Sequence, residues 1–123
     1  MLTDCQPMAF VPTKNPEAAA RFYRETLGLR FVSDDPFAVV FDLHGTRLRV
    51  EKVEAFEPLP FTILGWRVAD ISRTVAGLAE RGVRFERYDV LAQDDRGVWE
   101  APSGAKIAWF KDPDGNTLSL TES

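Results

Sequence analysis

The chain has 123 residues with a single cysteine, and its 15 Lys+Arg against 19 Asp+Glu give a formal net charge of −4 at pH 7. With 45% hydrophobic and 28% charged residues it has the composition of one globular domain and enough apolar side chains to fill a core. No apolar run approaches the roughly 18 residues of a membrane span, Met1-Leu2-Thr3-Asp4 has no signal-peptide character, and the charge is spread without basic blocks. The expectation is a cytoplasmic protein with neither a nucleic acid nor a membrane as partner, and Cys5 alone can supply neither an internal disulfide nor a cysteine metal cluster.

In chain order, residues 7–11 form a short apolar strand candidate, and Asn15 then caps a helix with Pro16 at its first position, where a missing N–H costs nothing. Ala19, Phe22, Tyr23, Thr26 and Leu27 make the apolar stripe of that helix, which Gly28 ends. Strands are expected at 29–33, 37–43 and 47–53, and a linker with two prolines occupies 54–60. The pattern then repeats: a strand at 61–68, a helix capped by Asp70 with Ile71, Val75, Leu78 and Ala79 buried, and strands at 83–88, 106–111 and 117–121.

The two halves echo each other in detail. Gly28-Leu29-Arg30-Phe31 recurs as Gly82-Val83-Arg84-Phe85, and the segment from Asp42 to Val50 recurs as that from Asp112 to Leu120. The second copy is longer because of a polar stretch, 89–104, which contains Trp99 and reads either as a lid over a site or as a solvated excursion. The expected organisation is a single α+β domain over 1–123, with a βαβββ module at about 7–53 and a second at about 61–121.

This duplicated pattern, with Arg21-Phe22-Tyr23 in the first helix, Leu27-Gly28-Leu29 after it and Asp112-Pro113-Asp114-Gly115-Asn116 before the last strand, resembles the vicinal oxygen chelate superfamily. That group contains glyoxalases, bleomycin-resistance proteins and extradiol dioxygenases. The resemblance implies two βαβββ modules forming a cupped, eight-stranded mixed sheet with helices on the outer face and a ligand in the cup. In its metal-dependent members, four cup-facing positions carry His, Glu or Gln. Here those positions fall on Met8, Arg49, Ile63 and Ser119. None is a good ligand for a divalent ion, and the sole histidine, His44, lies in a turn. No metal and no other cofactor is therefore expected.

Alternation along the strands places further residues on the same face. With a three-residue turn at 43–45, the expected ligand-binding set is Met8, Phe10, Phe41, Arg47, Arg49, Glu51, Phe61, Ile63, Trp99, Trp109 and Ser119. Aromatic walls with a few convergent polar groups are the profile of a small-molecule pocket. Arg49 is either the anchor for an anionic or strongly polar group or the partner of Glu51 or Glu100. The reading is a metal-free protein that binds a small organic molecule, similar to the bleomycin-resistance branch, whose members the resemblance makes homodimers. The alternative is an enzyme of the same superfamily, a lyase, isomerase or dioxygenase, with Glu51 or His44 in proton transfer or with an unrecognised divalent metal site.

Overall fold

Asn15 and Pro16 start the first helix as their chemistry dictates. In the computed structural model, which describes residues Met1–Ser123, the Asn15 side-chain oxygen accepts a hydrogen bond from the Ala18 N–H at 3.3 Å. Helix α1 runs Pro16–Arg21 and then widens into a π-helical turn, Phe22–Thr26, closed by the Leu27 N–H on the Phe22 carbonyl at 2.9 Å. The regular α-helix expected as far as Gly28 is thus interrupted. Of its expected stripe, Ala19 and Tyr23 are the members that become fully buried. The Phe22 and Tyr23 rings meet edge to face, with centroids 5.2 Å apart.

Two compact units divide the chain, Met1–Glu57 and Pro58–Ser123. In the first, β1 (Met8–Thr13), β2 (Arg30–Asp34), β3 (Ala38–Leu43) and β4 (Thr46–Lys52) form a mixed sheet in the order β1-β4-β3-β2, with β1 and β4 parallel. Helix α1 packs on β4. Val11 on β1, Val39 and Phe41 on β3, and Leu48 and Val50 on β4 fill the helix-facing side, each at 1% exposure or less.

The β3–β4 hairpin corrects the expected register. Its loop holds only His44 and Gly45, with φ of 51° and 100°, so both loop residues are left-handed and Leu43 pairs directly with Thr46. The longer turn assumed from the Asp112–Asn116 parallel does not form here, and every β3 side chain changes face. Phe41 pairs with Leu48 and lies in the core against Tyr23, ring centroids 6.0 Å apart, and not on the ligand face. Val40, expected under the helix, pairs with Arg49 instead.

In the second unit, β5 (Thr62–Arg67), α2 (Ile71–Glu80), β6 (Trp99–Glu100), β7 (Lys106–Lys111) and β8 (Thr117–Glu122) give the sheet order β5-β8-β7-β6, with β5 and β8 parallel. Asp70 caps α2 by accepting from the Arg73 N–H at 3.1 Å, and Glu122 takes the Ile71 N–H at 2.9 Å, satisfying two donors of the first turn. The helix packs on β7 and β8, with Ile71 and Val75 buried, and Trp66 stacks on Phe110 on that side of the sheet. The β7–β8 register is the expected one, Lys111 opposite Thr117 and Trp109 opposite Ser119. It is set by a buried turn in which Asp112 accepts from the Asp114 and Asn116 N–H groups and from the Asn116 side-chain amide.

The strand expected at 83–88 is reduced to one bridge, Phe85 opposite Phe110, plus a hydrogen bond from the Glu86 N–H to the Trp109 carbonyl at 2.8 Å. Beyond it the chain leaves the sheet and returns as β6, so two short segments share one edge of β7. The long excursion after Tyr88 is what cuts the strand short. Both units are mixed four-stranded sheets with helix packing, an α+β arrangement written twice, and no helix is long and apolar enough to cross a membrane.

Two predictions follow from this packing. Phe41→Ala should lower the unfolding free energy in urea by about 3–5 kcal/mol, the usual cost of emptying a buried aromatic site; a loss below about 1 kcal/mol would return Phe41 to an open face. The Asp35 carboxylate accepts from the Phe37 and Ala38 N–H groups at 2.7 and 2.9 Å, and these bonds hold its pKa below the ordinary carboxylate value. Its contribution to stability is present above the unfolded-state pKa and is lost as pH falls through the lower folded-state value. Carboxyl NMR titration should find Asp35 below a normal aspartate, and Asp35→Asn should flatten that acid limb.

Candidate functional site

Strand β4 lies between β1 and β3, and α1 covers one side of it. Its alternate residues Arg47, Arg49 and Glu51 therefore occupy the open face of the first unit. Two rows cross that face: Met8, Arg47, Asp42 and Arg30, then Phe10, Arg49, Val40 and Ser33. Met8 and Phe10 are 51% and 54% exposed, unusual for side chains of this kind on a regular strand. Arg49 donates from Nε to Glu51 Oε1 at 2.9 Å, and Arg47 Nη1 lies 3.7 Å from Asp42 Oδ1. The Nε bond uses one of the five guanidinium donors of Arg49, and its two Nη groups make no hydrogen bond within the chain. Five expected site residues, Met8, Phe10, Arg47, Arg49 and Glu51, thus share one face. Arg30, Val40 and Asp42 join them there, the latter two missed because the hairpin register was displaced by one residue and Arg30 because the 29–33 strand was given no face.

The open face of the second unit is built around the row Gly65, Ser119 and Trp109, followed by Thr121, Ile107 and Trp99. Trp109 is flanked by Tyr88, edge-on with centroids 5.4 Å apart, and by Trp99 at 6.1 Å and 33°. Burial, with a smaller contribution from Glu86, pushes the Tyr88 phenol above its ordinary pKa. Trp99, Trp109 and Ser119 therefore come together as expected site residues. Ile63 falls in a β-bulge between Thr62, opposite Thr117, and Leu64, opposite Leu118. Phe61 precedes β5 and is exposed.

Gln93 holds the expected lid segment down. Its Oε1 accepts from the Tyr88 N–H at 2.7 Å, and its Nε2 donates to the Glu86 and Gly97 carbonyls at 2.9 and 2.8 Å. Asp94 adds a turn by accepting from the Arg96 and Val98 N–H groups, and Arg87 donates to the Asp94 carbonyl. One glutamine thereby fixes both ends of the loop that carries Tyr88 and Trp99. Nothing in its sequence context marks Gln93, because its partners are backbone atoms brought close only by the fold.

The donors on these faces do not fit a divalent cation. On the first unit they are a thioether, three guanidiniums, the Ser33 hydroxyl and two carboxylates, Glu51 bonded by Arg49 and Asp42 beside Arg47; on the second, the Ser119 and Thr121 hydroxyls sit among aromatics. No group of three or more His, Cys, Asp or Glu side chains converges anywhere in the chain, and His44 occupies the β3–β4 loop.

A family model described as the Glyoxalase/Bleomycin resistance protein/Dioxygenase superfamily matches residues 6–120. The chain belongs to that superfamily. Among solved structures, a superfamily member from Sphaerobacter thermophilus is 27% identical with a TM-score of 0.77, each chain covered in full. A glyoxalase family protein from Enterococcus faecalis is 24% identical with a TM-score of 0.76, over 99% of this chain and 100% of the other. The fold is also that of a lactoylglutathione lyase from Agrobacterium tumefaciens, 18% identical, TM-score 0.75, over 98% and 96% of the two chains. No curated protein matches the sequence. This superfamily membership accounts for the scaffold, and a fold of this kind hosts many unrelated functions.

Gln93→Ala should leave the fold intact while raising amide hydrogen exchange at Tyr88 by at least about tenfold, since the Tyr88 N–H loses its acceptor. Unchanged protection there would show that the loop is held by something else.

Proposed function

We propose that this chain binds a small organic molecule on the open faces of its sheets, without a divalent metal. The observation that carries the reading is the contrast between the two sides of each sheet. The helix-facing sides hold the buried apolar core, whereas the open sides carry Met8, Phe10, Arg47, Arg49 and Glu51 in one unit and Ser119, Trp109 and Trp99 in the other. Half-buried aromatics beside a few polar groups with donors to spare suit an organic ligand with a flat ring and a polar or anionic substituent. Arg49 supports the anionic preference, because pairing through Nε leaves its two-pronged Nη edge for a carboxylate. Glu51 holds that guanidinium in place and serves as its partner, not as a base. Phe61 and Ile63 belong to the proposed binding set through their place at the start of β5, while Phe41 leaves it.

On family grounds we further propose a cytoplasmic homodimer. Sedimentation should give twice the 13.8 kDa chain mass; a monomer at micromolar concentration would contradict this.

The binding reading is tested by thermal shift in the presence of EDTA against a panel of aromatic carboxylic acids. At least one should raise the midpoint, and its affinity should fall by about tenfold or more in Arg49→Ala for a compound held on the first unit's face, or in Trp109→Ala for one held on the second's. If stabilisation requires added zinc, manganese, iron or nickel, the metal-free reading is wrong.

A further inference from the structure

The first residue of the central row on the second unit's open face has no side chain. Gly65 is exposed in the middle of β5, where a glycine ordinarily weakens a strand, and it lies opposite Ser119 on the neighbouring central strand. A Cβ at position 65 would come within 2.9 Å of Ser119 Oγ and 3.2 Å of the Ser119 carbonyl oxygen. Ser119 itself thus crowds the Cβ position, and the glycine leaves no side chain standing over that hydroxyl on the β5 side. Ser119 itself is only 7% exposed, and its hydroxyl has no hydrogen-bond partner within the chain. No fully buried side-chain polar atom in the protein lacks a partner, so Ser119 Oγ must reach the surface at this point. With one donor and two acceptor sites unused within the chain, this hydroxyl is completed from outside, by water or by a ligand.

On the other side of Ser119 in the same row stands Trp109, braced by Tyr88 and Trp99. The row thus reads as a narrow cleared spot, a bonding group at its floor and an aromatic wall beside it. We propose that Gly65 and Ser119 form a notch that selects flat aromatic ligands carrying a polar group on the ring edge. The edge lies over Gly65, where no side chain stands in its way, the ring lies along Trp109, and the polar substituent exchanges a hydrogen bond with Ser119 Oγ. Saturated rings of the same size are too thick for the opening, and ring edges without a polar group leave the hydroxyl unsatisfied. This selectivity deepens the binding function proposed above and rests on it.

The test uses the full chain with three probes, 2-naphthol, 2-methylnaphthalene and decahydro-2-naphthol, and reads affinity from amide NMR shifts. The wild-type chain should prefer 2-naphthol over 2-methylnaphthalene by about fivefold, the worth of one neutral hydrogen bond, and should bind the saturated alcohol at least about tenfold more weakly. Ser119→Ala, which adds no bulk, should bring the two aromatic compounds to equal affinity. Gly65→Ala should weaken both by about tenfold or more, with the amide spectrum confirming that each variant is folded. Retention of the 2-naphthol preference in Ser119→Ala overturns the notch. So does wild-type affinity in a folded Gly65→Ala, and if Trp109→Ala still loses binding in that case, the broader binding function survives without it. If none of the three probes binds the wild-type chain, the notch fails, while the binding function stands or falls separately on the aromatic carboxylic acids.

Discussion

Side chains on β4 and β8 can reach only two places, under the helix or onto the open face, because each of these strands is flanked on both sides within its sheet. That restriction governs the rest of the molecule. Leu48 and Val50 in one unit, and Leu118 and Leu120 in the other, must be apolar to seat α1 and α2. The residues between them, Arg49 and Ser119, are then delivered to the opposite side whatever their chemistry. A change of one residue in register would exchange the two sets, and the sealed apolar set tolerates no such exchange.

Stability and binding are accordingly divided between the two sides. The helix-facing residues are near zero exposure and each large one contributes on the order of 2–3 kcal/mol by burial. The Arg49–Glu51 pair has side chains 28% and 32% exposed, and such pairs contribute about 0–1 kcal/mol. It is thus of little consequence for holding the fold. Its geometry instead orients a guanidinium with donors left over. The loop after Tyr88 follows the same division, since its hydrogen bonds are made to Gln93 and Asp94, leaving Tyr88 and Trp99 to brace Trp109.

Most of the architecture could be read from the amino-acid sequence because the repeat supplied an internal check. Asn15-Pro16 and Asp70 mark both helix starts, and the Asp112–Asn116 turn sets the β7–β8 register, by local chemistry that needs no tertiary context. The β3–β4 hairpin was misread for the same reason that the repeat was useful. Treating His44-Gly45 as the equivalent of a longer turn moves β3 by one residue, placing Phe41 on the ligand face and hiding Val40 and Asp42. A histidine at φ 51° is uncommon enough that sequence alone does not announce a two-residue loop there. The shortened strand at Phe85 and the role of Gln93 were not legible because both depend on where a long segment returns to the sheet.

The three tryptophans allow the most direct test of the central claim, that ligand binding belongs to the open faces and needs no metal. Trp66 stacks on Phe110 on the helix-facing side, whereas Trp99 and Trp109 share the open face of the second unit. Their indole N–H signals can be followed separately by NMR while an aromatic carboxylic acid is titrated into the EDTA-treated protein. The account predicts that the Trp99 and Trp109 signals shift with saturation and that Trp66 stays in place. Movement of Trp66 alone, or no movement until a divalent metal is added, would contradict it.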